Sequence, residues 1–108
     1  MANNVKFTNK EKQIFFGDYP LVSVPLTVKT AVKAGDVIGV AENGDYGKYE
    51  KVTYKSPYAI AYEAGEANKA CSAILTAYLL ESFVLLPEDA TEKLKLKQEL
   101  RKIGLFLR

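Results

Sequence analysis

Hydrophobic and polar positions alternate with a period of two over much of this chain, and that period predicts β-strands. The clearest run is Val22-Ser23-Val24-Pro25-Leu26-Thr27-Val28-Lys29. Pro25 cannot donate to a ladder, so this strand is expected at an edge or in irregular form. Val37-Ile38-Gly39-Val40-Ala41 reads as a second short strand. Residues 49–54 alternate Tyr49, Lys51 and Thr53 against Glu50, Val52 and Tyr54 until Pro57 breaks the pattern. Tyr58-Ala59-Ile60-Ala61-Tyr62 is a further strand. Residues 71–86 form the longest candidate, either two strands' worth or one long bent strand. Both of its faces are apolar, which predicts a central, buried position.

Turn chemistry separates these runs. Gly35 in Lys33-Ala34-Gly35-Asp36 suits a positive φ, and Asn43-Gly44 is a strong hairpin signal within a loop read over residues 43–47. Ala64-Gly65-Glu66-Ala67-Asn68 is another turn. After Pro87 one helix is expected. Glu88, Asp89 and Glu92 precede Arg101 and Lys102, the order the helix dipole favours. Leu96, Leu100 and Ile103 make its apolar stripe, and Gly104 is a natural C-terminal cap. Leu105-Phe106-Leu107 then reads as a terminal strand that the fold should bury. Turn signals every 8 to 12 residues suit a barrel or sandwich better than a βαβ layout.

Residues 1–20 differ from the rest. They are polar, with scattered Val5, Phe7, Ile14, Phe15 and Phe16 and no sustained period. Gly17-Asp18-Tyr19-Pro20 reads as a turn. A frayed terminus and an arm that orders on a partner fit about equally well; the three Phe are more than a free tail usually carries.

Composition narrows the function more than the fold. The 108 residues are one domain's length. A net charge of +2 comes from Lys and Arg interspersed with acids, so no basic stripe for nucleic acid is evident. The single cysteine, Cys71, excludes an intrachain disulfide. No basic-then-apolar leader follows Met1, and the most apolar stretch is shorter than the roughly 20 residues of a membrane helix, so a soluble protein without a membrane partner is expected. There is no histidine. That removes the usual general base, the Ser-His-Asp and Cys-His arrangements, and imidazole ligands for zinc. No catalytic residue, metal site or cofactor site is therefore expected, and the chain reads as a non-enzyme.

The remaining chemistry has ordinary explanations. Glu63, Glu66, Asp36 and Asp45 lie in turns, where acids stay solvated and cap backbone groups. Glu81 interrupts an apolar run, as an outward strand position or bend would, or else as half of a buried ion pair. Cys71 reads as a small buried hydrophobe. Tyr46, Tyr49, Tyr54, Tyr58 and Tyr62, interleaved with Lys48, Lys51 and Lys55, could stack on single-stranded nucleic acid. Packing on half-buried β faces is the preferred reading, with a small nucleic-acid- or protein-binding barrel as the alternative function. A weak likeness to lipoyl and biotinyl carrier domains, in residues 32–38 and Asn68-Lys69-Ala70, fails on spacing and on the helix after Pro87.

Val32-Lys33-Ala34-Gly35-Asp36-Val37-Ile38-Gly39-Val40, Tyr58-Ala59-Ile60-Ala61-Tyr62-Glu63-Ala64-Gly65, the long apolar strand, and a charged helix closing on Ile103-Gly104-Leu105-Phe106-Leu107 follow one another in order. Over residues 20–108 this series resembles the head decoration proteins of lambda-type tailed bacteriophages. The fold class expected is mainly β with one C-terminal helix (α+β). It would have a small single-domain β-barrel or β-tulip-like body at 21–108 and an extended N-terminal arm at 1–20. The resemblance implies a homotrimer on threefold sites of an expanded shell, on the capsid exterior of a virion assembled in the bacterial cytoplasm. There it would stabilise the shell against internal DNA pressure. Its partners would be the major capsid protein and itself, with no nucleic acid. Val5, Phe7, Ile14, Phe15 and Phe16 would be the capsid-binding anchors of the arm, which could add a strand to a capsid-protein sheet.

Overall fold

Alternation becomes a closed barrel. The computed structural model describes residues 21–108. The strands are β1 (Val22–Val28), β2 (Val37–Val40), β3 (Tyr46–Lys48), β4 (Ser56–Ala61), β5 (Lys69–Leu79) and β6 (Leu105–Leu107). A 3-10 turn (Glu81–Phe83) and one helix, α1 (Ala90–Lys102), lie between β5 and β6. Five strands run in the order β1-β3-β2-β4-β5, and β5 returns to β1. The closing β1–β5 ladder is antiparallel from Val22 opposite Thr76 to Val28 opposite Lys69. The β1–β3 contact is parallel and made at Val28 and Tyr46. The Lys29 N–H donates to the Tyr46 carbonyl at 2.7 Å, and the Lys48 N–H donates to Thr30 Oγ1 at 2.8 Å. The protein is mainly β, a five-stranded barrel with one helix.

Pro25 sits where its chemistry allows. It lies opposite Ser72 of β5. The Tyr62 N–H donates to the Ser72 carbonyl, which turns the Ser72 backbone toward β4. The Pro25 nitrogen therefore faces away from β5, where a missing donor costs nothing in the ladder.

A bulge in β5 moves the end of that strand from one core to the other. Val22 pairs with Thr76 but Ser23 pairs with Ile74, so Leu75 is an extra residue in β5. One extra residue exchanges the faces of a strand. Before the bulge, Cys71 and Ala73 point into the barrel with Val28, Val32, Ile38, Ala59 and Ala61. After it, Ala77 and Leu79 join Ile74 on the outer face, with Val37, Ile60, Val84, Leu96, Leu100 and Leu105. The barrel interior is filled largely by small side chains. The second core lies between the barrel wall and α1.

The helix is built as its sequence implies. The Asp89 carboxylate caps it by accepting the Glu92 N–H at 2.9 Å. Leu96 and Leu100 are buried. Gly104 has φ 95°, the left-handed cap that returns the chain to β6. Ile103, expected in the stripe, is 38% exposed because it is the C-cap and the chain has already turned away.

Three strand boundaries differ from the alternation. Residues 49–54 form no strand; the ladder lies earlier, at β3, inside the expected loop. The Glu50 carboxylate accepts the N–H groups of Val52 and Thr53 and folds this stretch on itself. Pro57 lies within β4, opposite Gly39, rather than ending a strand. The long apolar run is a strand only to Leu79, after which the 3-10 turn begins.

The folded-over loop is held by two glycines. Gly39 and Gly47 are cross-strand partners in the β2–β3 pair, and Tyr54 lies over both. A Cβ on Gly39 would sit 2.1 Å from the Tyr54 carbonyl oxygen; one on Gly47 would meet its ring at 2.7 Å. A backbone oxygen cannot swing aside as a ring can. Gly39→Ala should therefore cost about 1–3 kcal/mol, the range for overpacking, and Gly47→Ala clearly less. Thermal denaturation of the two variants checks the order; an equal or smaller loss at Gly39 would refute the loop's anchoring.

Candidate interaction surfaces

Each acid singled out in the sequence has a structural task or a solvated place. Asp36 is buried and accepts the Lys33 N–H at 2.8 Å, closing the turn at Gly35 (φ 92°). Asp45 and Asn43 bond to each other around Gly44 (φ 93°) in the β2–β3 hairpin. Glu63 accepts the Ser72 N–H at 3.1 Å, and Glu66 is exposed. Glu81 starts the 3-10 turn and pairs with Lys97 of α1 at 2.6 Å, both side chains about a third exposed (34% and 33%). It is thus both a bend residue and half of a partly buried ion pair, within one chain. Among the described residues no group of three or more Cys, Asp or Glu is gathered as metal ligands would be.

Cys71 faces the barrel interior. Burial pushes its thiol above the ordinary value, and the Glu63 carboxylate adds to the shift. A thiol held neutral is a poor nucleophile. Lys69, the lysine of the carrier-like tripeptide, is exposed but lies in the β1–β5 ladder opposite Val28, not at a hairpin tip.

The tyrosines are used for packing. Tyr46 and Tyr58 stack with ring centroids 4.9 Å apart against the barrel core. Their hydroxyls are hydrogen-bonded, which, with burial, raises the Tyr46 pKa. Tyr49 and Tyr62 pack on the outer core, and Tyr54 covers the glycine pair. Of the interleaved lysines, Lys51 pairs with Glu92 at 3.0 Å and Lys55 with Glu42 at 3.5 Å.

What remains are surfaces. Val52 is 80% exposed at the tip of the folded loop. Leu21 and Val22 are exposed where β1 begins. A groove of about 320 Å³ lies between α1 and β6, lined by Leu94, Lys97, Gln98, Arg101, Phe106 and Leu107. Sequence reading missed this groove. Leu94 falls outside the stripe of Leu96 and Leu100, and that off-stripe leucine was the available signal. The proposed arm anchors Val5, Phe7, Ile14, Phe15 and Phe16, with the arm boundary at residue 20, lie outside the described residues.

The geometry defines a small β-barrel with one docked helix. No protein-family model matches the chain, and no curated protein matches it with significant similarity. Among the described residues no helix is long and apolar enough to cross a membrane.

The Val52 loop depends on one carboxylate. Hydrogen bonds from the Val52 and Thr53 N–H groups hold the Glu50 pKa below the ordinary carboxylate range. A depressed folded pKa means the loop's support is complete above the unfolded value and is lost as pH falls through the folded one. The Val52 and Thr53 amide resonances should therefore shift together on acidification, with a midpoint below that of a free glutamate. Glu50→Gln should abolish that titration; its persistence would assign the loop's order to another group.

Proposed function

We propose that this chain is a structural virion protein that binds the outside of an expanded phage capsid. It acts as a trimer at threefold sites and stabilises the shell against the pressure of packaged DNA. The observation that carries the proposal is the edge position of β1. Among the described residues β1 is paired along its length with β5 and meets β3 only at Val28. It begins directly after residues 1–20, with apolar Leu21 and Val22 exposed (44% and 42%) at its start. A polar segment carrying Val5, Phe7, Ile14, Phe15 and Phe16 is thus delivered from a strand edge, as strand addition to a capsid sheet requires. The described body supports the same reading: its acids close turns, cap the helix or lie solvated in ion pairs and on the surface, its thiol is neutral, and its tyrosines pack. The resemblance to decoration proteins, laid out from the sequence, supplies the partner.

The nucleic-acid alternative has less support, because the tyrosines it needs are half-buried in packing and two of the three interleaved lysines, Lys51 and Lys55, pair with acids. Co-sedimentation with expanded and unexpanded phage shells tests the proposal. Expanded shells should retain the protein, and Val5→Asp/Phe7→Asp should reduce retention at least tenfold with the barrel's circular dichroism unchanged. Equal retention of the double variant would remove the arm from the binding step. No retention by any expanded shell would end the decoration reading.

A further inference from the structure

The loop between β2 and β3 holds an asparagine directly before a glycine, Asn43-Gly44, and both are exposed. A backbone nitrogen that follows asparagine can attack the side-chain amide carbon, because the ring so formed is the size of proline's. A side chain on the attacking residue crowds that approach, and glycine has none. A Cβ built on Gly44 would have nothing within 4 Å, so neighbouring residues do not crowd it either. Asn68, the other asparagine among the described residues, is followed by Lys69, which carries a side chain and lies in the β1–β5 ladder opposite Val28.

Hydrogen bonds fix the reacting groups of the loop. The Gly44 N–H donates to the Ala41 carbonyl at 2.9 Å. The Asp45 N–H donates to Asn43 Oδ1 at 3.1 Å, and Asn43 Nδ2 donates to Asp45 Oδ2 at 3.3 Å. Ring closure needs the Gly44 nitrogen freed of its proton and the carboxamide turned toward it, so these bonds oppose it.

We propose that Asn43 is a site of spontaneous covalent modification by the Gly44 nitrogen, with Asp45 as the positioning residue that sets its rate. The Gly44 nitrogen bonds to Asn43 Cγ and its proton passes to water or hydroxide. The Cγ–Nδ2 bond breaks, and that nitrogen leaves as ammonia after taking a proton from water. Water then opens the cyclic imide. Opening at Cγ leaves aspartate; opening at the backbone carbonyl leaves isoaspartate, in which the main chain runs through Cβ. Water and hydroxide are the only co-reactants, and the chemistry is independent of what the chain binds.

The products alter the hairpin. In the aspartate form a carboxylate replaces the amide donor that faces Asp45 Oδ2, beside exposed Glu42, and like charges repel. The isoaspartate form lengthens the main chain between Ala41 and Asp45, where the Ala41 N–H donates to the Asp45 carbonyl at 2.8 Å and closes the hairpin. Next along the same strands is the Gly39–Gly47 pair that carries Tyr54. Ala41, Asn43 and Asp45 also share a cavity with Val52 and Tyr54. Modification at Asn43 therefore loosens the exposed Val52 loop.

Peptide mapping by mass spectrometry tests this on the full, folded chain held at mildly alkaline pH in heavy-oxygen water. The Asn43 peptide should exchange one NH for one solvent oxygen and split into aspartate and isoaspartate forms, while Asn68 stays intact. Asp45→Ala with unchanged circular dichroism should convert about fivefold faster, the factor set by one hydrogen bond of ordinary net strength. In denaturant the two chains should convert at one rate, and Asn43→Gln should not convert. An Asn43 that converts only in denaturant, or to aspartate alone, would overturn the site; equal rates in the folded wild type and Asp45→Ala would overturn the part given to Asp45. In the purified isoaspartate form the Gly39, Gly47 and Val52 amide resonances should shift, and unchanged resonances would refute the link to the Val52 loop.

Discussion

The extra residue at Leu75 is the constraint on which the rest of the molecule depends. β5 is 11 residues long and, like β2 and β4, takes part in both cores. A regular strand of that length would keep Cys71, Ala73, Ala77 and Leu79 on one face. Leu79 would then point toward the barrel side, where Ala59, Ala61, Cys71 and Ala73 leave room only for small groups. The bulge sends Ala77 and Leu79 to the opposite face, where Leu96, Leu100 and Leu105 close over them. It also turns their backbone groups away from β1, which opens a place for β6. Helix docking and the parallel β5–β6 pair therefore share one cause, a one-residue irregularity in a single strand.

Around that strand, loops are fastened by close approach rather than by large side chains. Gly35 lies under the carbonyl of Phe83, where a Cβ would be 2.2 Å from the oxygen, and its own carbonyl accepts the Leu85 N–H at 2.9 Å. This ties the segment after β5 back to the turn before β2. Gly65 lies against Cys71 and Val32 and forms a bridge with Val32. Gly39 and Gly47 receive Tyr54. In each case backbone meets a neighbour at a distance only glycine permits. Such contacts are directional, since the N–H and C=O groups must also be satisfied, so they fix the loops that a core of small side chains would leave underdetermined.

Much of this was legible from residue types alone. Helix α1 followed from its charge order and its leucine spacing, and the structure adds the Asp89 cap. The positive φ of Gly35, the Asn43-Gly44 hairpin, the edge position of Pro25 and the terminal strand also followed from local chemistry. The misreadings share a cause. Residues 49–54 alternate as a strand does, but Glu50 offers the Val52 and Thr53 N–H groups a carboxylate a few residues away, and the Gly39–Gly47 pair offers Tyr54 a surface. Both competitors for those groups lie outside a period-two count. The bulge was invisible for a similar reason. With both faces of residues 71–79 apolar, no change of hydrophobic phase marks Leu75. The groove at β6 was illegible because it needs the helix and the terminal strand placed side by side.

The same facts order the functional possibilities. Among the described residues carboxylates complete turns, a helix cap and ion pairs, and the thiol lies inside the barrel. The rings of Tyr46, Tyr49, Tyr54, Tyr58 and Tyr62 pack, and Lys51 and Lys55 meet acids. Aliphatic side chains are exposed at the start of β1, and Leu94 is exposed beside β6. These two strands occupy opposite edges of β5. The register shift at Leu75 thus decides which edge of β5 each strand takes.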